Sequence, residues 1–199
     1  MALAERLRIS PGVPLLLAAF GWLASPLLLG AILSAAVCHE LGHWLVLRRV
    51  GGRIQRLHIT VFGAEMQVDD RRISYGGELL TAAAGPMINL LLAAALGLLG
   101  RWWEPLYLFA GAQLVLGAFN LLPTLPLDGG RILWLALAWL TEPYTAQRVL
   151  SAVSLAVSLA LLLGGGGLIW RLGGSPFLLV GAVGLTGWNL REIKLAKGG

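Results

Sequence analysis

The chain has 199 residues, of which 57% are hydrophobic and only 13% are charged. Its mean hydropathy is +0.78, whereas about 25% of the residues in soluble domains are charged. This composition excludes an ordinary soluble domain and predicts an integral membrane protein. The net charge of +5 does not indicate a nucleic-acid partner, because the basic residues lie between apolar runs, where such residues set membrane topology.

The apolar runs, taken in chain order, predict an all-α polytopic membrane protein with about six transmembrane helices. The runs are Val13–Ala24, Leu27–Leu47, Leu79–Leu99, Leu106–Leu122, Val149–Trp170 and Phe177–Leu190. The first run has about a dozen residues before Pro26, which is short for crossing a hydrocarbon core about 30 Å thick. Whether this first run spans the membrane completely is an open point of the prediction.

The second and third runs are separated by a segment of different pattern, Gly51–Tyr75. Leu57, Ile59 and Val61 alternate there with polar or small residues, which predicts a small β segment at the cytoplasmic membrane surface. The part around Leu57–Phe62 is a candidate to hold a substrate as an added strand.

The distribution of basic residues predicts the topology. If all six runs cross, thirteen of the fifteen Lys and Arg residues fall in connections on the amino-terminal side, and only Arg101 and Arg171 fall on the other. An excess of Lys and Arg marks cytoplasmic loops. Both termini are therefore expected in the cytoplasm.

The second run contains the sequence His39-Glu40-Leu41-Gly42-His43, and no other charged side chain occurs between Leu27 and Leu47. Two histidines four residues apart lie about 40° apart around a helix, so both imidazoles can face one Zn²⁺. The pattern H-E-x-x-H is typical of zinc peptidases, in which the glutamate is the general base. A cluster that only holds helices together has no need of this spacing.

A catalytic zinc usually has three protein ligands, so a third is needed. The remaining histidine, His58, stands alone and is more often an ordinary surface residue. Asp128 follows the fourth run, after Pro123 and Pro126 and before Gly129-Gly130. The prolines prevent a continuous helix and the glycines permit a sharp turn, so we expect irregular backbone to present Asp128 to the metal. The competing interpretation is an ordinary surface turn.

Two asparagines in apolar surroundings are further candidates. Asn89 lies in the third run after Gly85-Pro86, and Asn120 lies near the end of the fourth. Either amide can bind the substrate backbone or polarise the scissile carbonyl. For Asn89, a role in joining helices by hydrogen bonds is an equal alternative.

Three motifs together resemble the site-2 protease family of intramembrane zinc peptidases. They are His39-Glu40-Leu41-Gly42-His43, Gly85-Pro86-x-x-Asn89 and Asn120-x-x-Pro123-x-x-Pro126-Leu127-Asp128-Gly129-Gly130-Arg131. The resemblance implies one Zn²⁺ per chain with His39, His43 and Asp128 as ligands, Glu40 as the base and Asn120 as an active-site neighbour. Within the family, the chain is similar to the sporulation branch, whose member processes the precursor of a sigma factor.

The resemblance also implies a broader picture of the protein. Residues 1–199 are expected to form a single intramembrane metalloprotease domain with a core at 27–142 and additional helices at 13–24 and 149–190. We expect a multi-pass protein of a bacterial cell membrane that cleaves a membrane-associated protein, and we expect no nucleotide-binding accessory domain after the last run. The oligomeric state is not predicted.

The competing function is a zinc transporter or a zinc-binding regulator that has lost catalysis. Transporters show ionisable residues across several spans, and the apolar runs here hold no second cluster of this kind. Loss of catalysis would most simply appear as a changed Glu40, which is intact.

Overall fold

The computed structural model describes residues 7–12, 14, 18, 21–22, 25–60, 63–69, 73–172 and 177–197. The described part contains six helices, to which we give the labels α1 (Pro26–Arg49), α2 (Tyr75–Leu99), α3 (Leu106–Asn120), α4 (Asp128–Leu140), α5 (Pro143–Leu172) and α6 (Phe177–Lys197). The predicted run Val13–Ala24 lies largely outside the described residues.

Three described helices are long and apolar enough to cross a membrane: α1, α2 and the Pro143–Gly167 part of α5. The 15 residues of α3 extend for about 22 Å, which is less than a hydrocarbon core of about 30 Å. The described residues thus make this a helical membrane protein with three candidate spans, while six crossings stay a prediction.

Local sequence explains where α1 begins and ends. Pro26 occupies its first turn, and Ser25 caps it by accepting a hydrogen bond from the Leu28 N–H at 3.2 Å. The helix ends before Gly51, which has a φ of +87°, a conformation that glycine adopts without the steric cost of a Cβ. Gly52 N–H then donates to the Leu47 carbonyl at 2.9 Å.

Three strands form one sheet: β1 (Leu7–Ile9), β2 (Arg53–Thr60) and β3 (Gly63–Asp69). β2 is the central strand, parallel to β1 and antiparallel to β3. The expectation that the part around Leu57–Phe62 receives an added strand is therefore wrong for Leu57–Ile59, because these residues already pair on both sides. Val61 and Phe62 lie outside the described residues. Among the strands that the structure describes, the edges are β1 and the outer side of β3.

The chain divides into two compact units, Met1–Ala118 and Phe119–Gly199. In the first, α1 packs against α2, and the contact is close because Gly42 lacks a Cβ: one added there would lie 2.7 Å from the Ala84 carbonyl oxygen. Ala31, Ala35 and Ala82 are fully or almost fully buried, since small side chains let two backbones approach within a membrane.

In the second unit, α5 packs against α4 and α6. Its buried apolar side chains include Leu135 on α4, Ala146 and Leu150 on α5, and Ala182 on α6. The long α5 also passes without interruption through Gly164 to Gly167. The four glycines do not end it, because an apolar environment favours the intrahelical hydrogen bonds that glycine weakens in water.

Candidate metal centre

The two histidines of H-E-x-x-H lie in the middle of α1. His39 is 6% exposed and His43 is half-buried. Their rings meet edge to face, with centroids 4.7 Å apart and an interplanar angle of 80°. The predicted pairing of the two imidazoles on one side of the helix is thus present.

Each histidine is held through its Nδ1 atom. His39 Nδ1 lies 2.6 Å from Asn89 Oδ1, and His43 Nδ1 lies 2.7 Å from the Thr81 carbonyl oxygen. Asn89 must direct its oxygen to His39, because its Nδ2 donates to the Ala35 carbonyl at 3.1 Å. Both partners of Nδ1 are acceptors, so each Nδ1 carries a proton, and in the neutral ring Nε2 carries the lone pair.

The two Nε2 atoms lie 3.0 Å apart. At this distance the two atoms can share one proton in a hydrogen bond or be directed together at one cation. In a tetrahedral zinc site, bonds of about 2.0–2.1 Å place two nitrogen ligands about 3.3 Å apart, so a shift of a few tenths of an ångström would let both histidines bind one ion. The histidine pair therefore fits a metal ion.

A glycine on α2 makes room for the His43 ring. Gly85 is buried, and a Cβ added there would overlap His43 Nε2 and lie 2.7 Å from Cε1. Thr81, Gly85 and Asn89 follow one another at intervals of four residues, so they form one stripe on α2. This stripe faces the two histidines, which have the same spacing on α1.

Asn89 joins α2 to α1 and α3 by hydrogen bonds, which corresponds to the helix-joining alternative that the sequence left open. The side chain is fully buried; its oxygen accepts from His39, and its nitrogen donates to Ala35 and to Gln113 Oε1. No amide atom is left for a substrate carbonyl, because the two protons and the oxygen already have partners. Its oxygen also orients the ring of His39, a predicted ligand.

Gln113 was missed by the sequence analysis. It is 2% exposed on α3 and accepts a hydrogen bond from Asn89. This bond holds the Asn89 amide in the orientation in which its oxygen accepts from His39. The available signal was a lone amide side chain within the apolar run Leu106–Leu122, since buried polar groups in membranes almost always have a partner.

Glu40 is half-buried on α1, between the two histidines in sequence. On a helix it lies about 100° from His39 and about 60° from His43. The carboxylate is thus on the same half of α1 as the imidazoles.

Asp128 is placed differently from the expectation. It is the first residue of α4 rather than part of an irregular turn, and a carboxylate in the first turn interacts favourably with the helix dipole. Its Oδ2 atom is buried. Gly129 and Gly130 are helical, and they are needed for space: an added Cβ would overlap the Leu121 carbonyl in the first case and lie 2.6 Å from the Thr124 carbonyl carbon in the second.

His39 and His43 offer imidazole nitrogens, and Asp128 offers a carboxylate oxygen; each is a type of donor that can hold a metal ion. Two histidines and a carboxylate are one of the ligand sets of catalytic zinc sites. Asn120, the other predicted active-site neighbour, is half-buried at the last position of α3.

Comparison with known proteins identifies relatives of this chain. Residues 98–164 match the model of peptidase family M50. The chain is 29% identical over 138 residues to a protein named zinc metalloprotease MJ0392 of Methanocaldococcus jannaschii, a match that covers 66% of this chain and 40% of that protein. It is 31% identical over 165 residues to the Rip3 protein of Mycobacterium tuberculosis, covering 70% and 40%. The chain thus spans about two fifths of these relatives.

A solved structure, the site-2 protease from Methanocaldococcus jannaschii, has a similar fold. The TM-score is 0.69 at 22% sequence identity, and the match covers 96% of this chain and 93% of that one. Residues 98–164 are thus similar to peptidase family M50, and the fold is similar to that of a site-2 protease.

Proposed function

We propose that this chain is an intramembrane zinc metalloprotease of the site-2 protease family, with His39, His43 and Asp128 as zinc ligands and Glu40 as the catalytic base. The observation that carries the proposal is the histidine pair: two Nε2 atoms 3.0 Å apart within a helix apolar enough to cross a membrane. Such an arrangement is costly in an apolar helix without a cation, and H-E-x-x-H supplies the base beside it.

The reaction is hydrolysis of a peptide bond. When bound, zinc supplies a Lewis acid that acidifies water and stabilises the developing oxyanion. Glu40 accepts a proton from the water while the water oxygen attacks the carbonyl carbon. Glu40 then gives that proton to the leaving nitrogen as the C–N bond breaks. Asn89 and the Thr81 carbonyl keep both Nδ1 protons in place, so the Nε2 atoms stay available as ligands.

The substrate of this reaction is a membrane-associated protein, cleaved in or near its transmembrane segment. In a helix the carbonyl groups already accept backbone hydrogen bonds, so the helical segment of the substrate must unwind before it is cleaved. The outer edge of β3 is a candidate to hold the extended segment by strand addition. A regulatory precursor such as a pro-sigma factor is the candidate that the likeness to the sporulation branch implies, in a bacterial membrane with both termini of the protease in the cytoplasm.

Replacement of the base tests this function. We expect Glu40→Gln to keep zinc and the fold but to abolish cleavage of a co-expressed membrane substrate, because an amide of the same shape cannot accept the proton. Zinc content and cleavage are measured on the same detergent-purified preparation. Cleavage by Glu40→Gln at the wild-type rate would exclude Glu40 as the base, and a zinc-loaded wild type that cleaves no membrane substrate would favour a non-proteolytic zinc-binding role.

A further inference from the structure

The second unit contains a cluster of buried polar side chains that the proposed reaction does not use. Thr124, Ser154 and Ser158 are fully buried, and Asn189 is 2% exposed. They come from the segment before α4, from α5 and from α6, and we refer to them as the polar network. Burying four polar side chains in an apolar protein is unfavourable unless each is hydrogen-bonded.

Asn189 is at the centre of the polar network. Its Nδ2 lies 2.8 Å from Ser158 Oγ, 2.9 Å from the Leu185 carbonyl, 3.1 Å from Thr124 Oγ1 and 3.3 Å from the Leu125 carbonyl. An amide nitrogen has two protons, so the four acceptors share them. The shortest contact to another element is with α5, and the other two cross-element contacts are with the segment before α4.

The network fixes backbone as well as side chains. Ser154 Oγ accepts from the Leu125 N–H at 3.2 Å, and Asn189 approaches the carbonyl of the same residue at 3.3 Å. Both polar groups of the Leu125 peptide backbone are thereby held by side chains from α5 and α6. A buried backbone N–H and C=O need hydrogen-bond partners, and α5 and α6 supply them for Leu125.

The held residue lies close to a predicted ligand. Leu125 is three residues before Asp128, and the Leu127 N–H in between donates to the Thr124 carbonyl at 2.9 Å. The segment also approaches α4 closely, since Gly130 packs against the Thr124 backbone. A displacement of Leu125 therefore moves the start of α4, where the Asp128 carboxylate is attached.

We propose that Asn189 and Ser154 are positioning residues for the zinc ligand Asp128. They hold the Leu125 backbone so that α4 begins where its first carboxylate can reach the metal. The inference rests on the proposed function, because it assumes that Asp128 binds zinc. Mutation of a group that orients a metal ligand without touching the metal commonly lowers metal affinity about 10- to 100-fold.

The test measures zinc affinity by competition with a chromophoric chelator, on full-length protein stripped of metal and titrated with zinc alone. Asn189→Leu, which keeps the size but removes both donors, is expected to raise the zinc Kd about 10- to 100-fold. Ser154→Ala should raise it in the same direction. Asp128→Ala is the reference for loss of the ligand itself.

Two matched controls separate positioning from packing. Ser151→Ala removes a hydroxyl one turn earlier on α5, where it donates to the Gln147 carbonyl; Thr186→Ala removes one on α6 that donates to the Ala182 carbonyl. Both should leave the zinc Kd within about twofold. A second readout is the rise in unfolding midpoint on adding zinc, because the stabilisation of the folded state grows with the logarithm of the zinc concentration divided by the Kd. A purely structural role lowers the midpoints of both forms equally and leaves this rise unchanged.

The outcomes are distinct. A wild-type zinc Kd in folded Asn189→Leu overturns the inference; if that variant does not fold, a wild-type Kd in Ser154→Ala overturns it. An unchanged Kd in Asp128→Ala refutes the ligand assignment together with the inference. If zinc binding follows the expected pattern but wild-type protein cleaves no membrane substrate, the proposed proteolytic function fails while the positioning role stands.

Discussion

Replacing Gly85 by alanine is the smallest change that should disable the metal centre. The added methyl group would overlap His43 Nε2 and lie 2.7 Å from Cε1, whereas ordinary van der Waals contact begins at about 3.4 Å. The ring must therefore move by at least about 0.7 Å. Metal–ligand bond lengths tolerate only about 0.2 Å, so the displacement exceeds the tolerance more than threefold.

The expected result is a large loss of zinc affinity with a smaller loss of stability. We expect the zinc Kd of Gly85→Ala to rise at least about 10-fold, by the standard of groups that orient a ligand. Overpacking a buried site typically costs about 1–3 kcal/mol, so the metal-free protein should still fold. The assay is chelator competition, with cleavage of a co-expressed substrate measured on the same preparation.

The matched control is Gly97→Ala on the same helix, where an added Cβ has no atom within 4 Å. The chemical change is identical, but no ligand is displaced, so zinc affinity and cleavage should be those of the wild type. If Gly85→Ala binds zinc as tightly as Gly97→Ala does, the His43 ring does not occupy the space beside α2, and the argument from steric overlap is refuted.

Three further results are expected. Asn89→Leu should raise the zinc Kd about 10- to 100-fold in chelator competition, because His39 loses the acceptor that fixes its Nδ1 proton; an unchanged Kd would contradict that role. Asp128→Asn should lose zinc in metal analysis, since a neutral amide is a poorer ligand than a carboxylate, and stoichiometric zinc would exclude ligation. On a Cys38→Ser background, a cysteine placed beside Arg53 should resist membrane-impermeant labelling of intact cells, and labelling from outside would reverse the predicted topology.

The apolar helices were predictable because hydropathy depends on composition alone. The run Leu27–Leu47 corresponds to α1 and Leu79–Leu99 to α2, although α2 begins earlier, at Tyr75. The difference arises at the end of the helix: Ser74 Oγ accepts from the Gly77 N–H at 3.2 Å and starts the helix in a stretch too polar to register as a span. Hydropathy finds the part of a helix in lipid, whereas capping sets its end.

The helix α4 was not predicted, and its local sequence explains the error. Two prolines precede Asp128 and two glycines follow it, and each residue type disfavours a helix on intrinsic propensity. The structure overrides this preference through packing, because only glycine allows the first turn of α4 to lie against the Leu121–Thr124 backbone. Intrinsic helix propensity does not include such packing contacts with backbone outside the helix.

The metal centre shows the same division between local and distant information. H-E-x-x-H predicts the positions of both imidazoles because one helix sets their spacing, but it does not determine which ring nitrogen is directed at a metal. That choice is made about 40 to 50 residues further on, by the Thr81 carbonyl and the Asn89 amide, with Gly85 leaving room between them. The stripe on α2 repeats every four residues, as the histidines do on α1. Each histidine on α1 therefore has its own hydrogen-bond partner on α2: Asn89 for His39 and the Thr81 carbonyl for His43. A chain with the histidine motif but without this stripe should therefore bind zinc more weakly, because its imidazoles would lack a fixed tautomer and orientation.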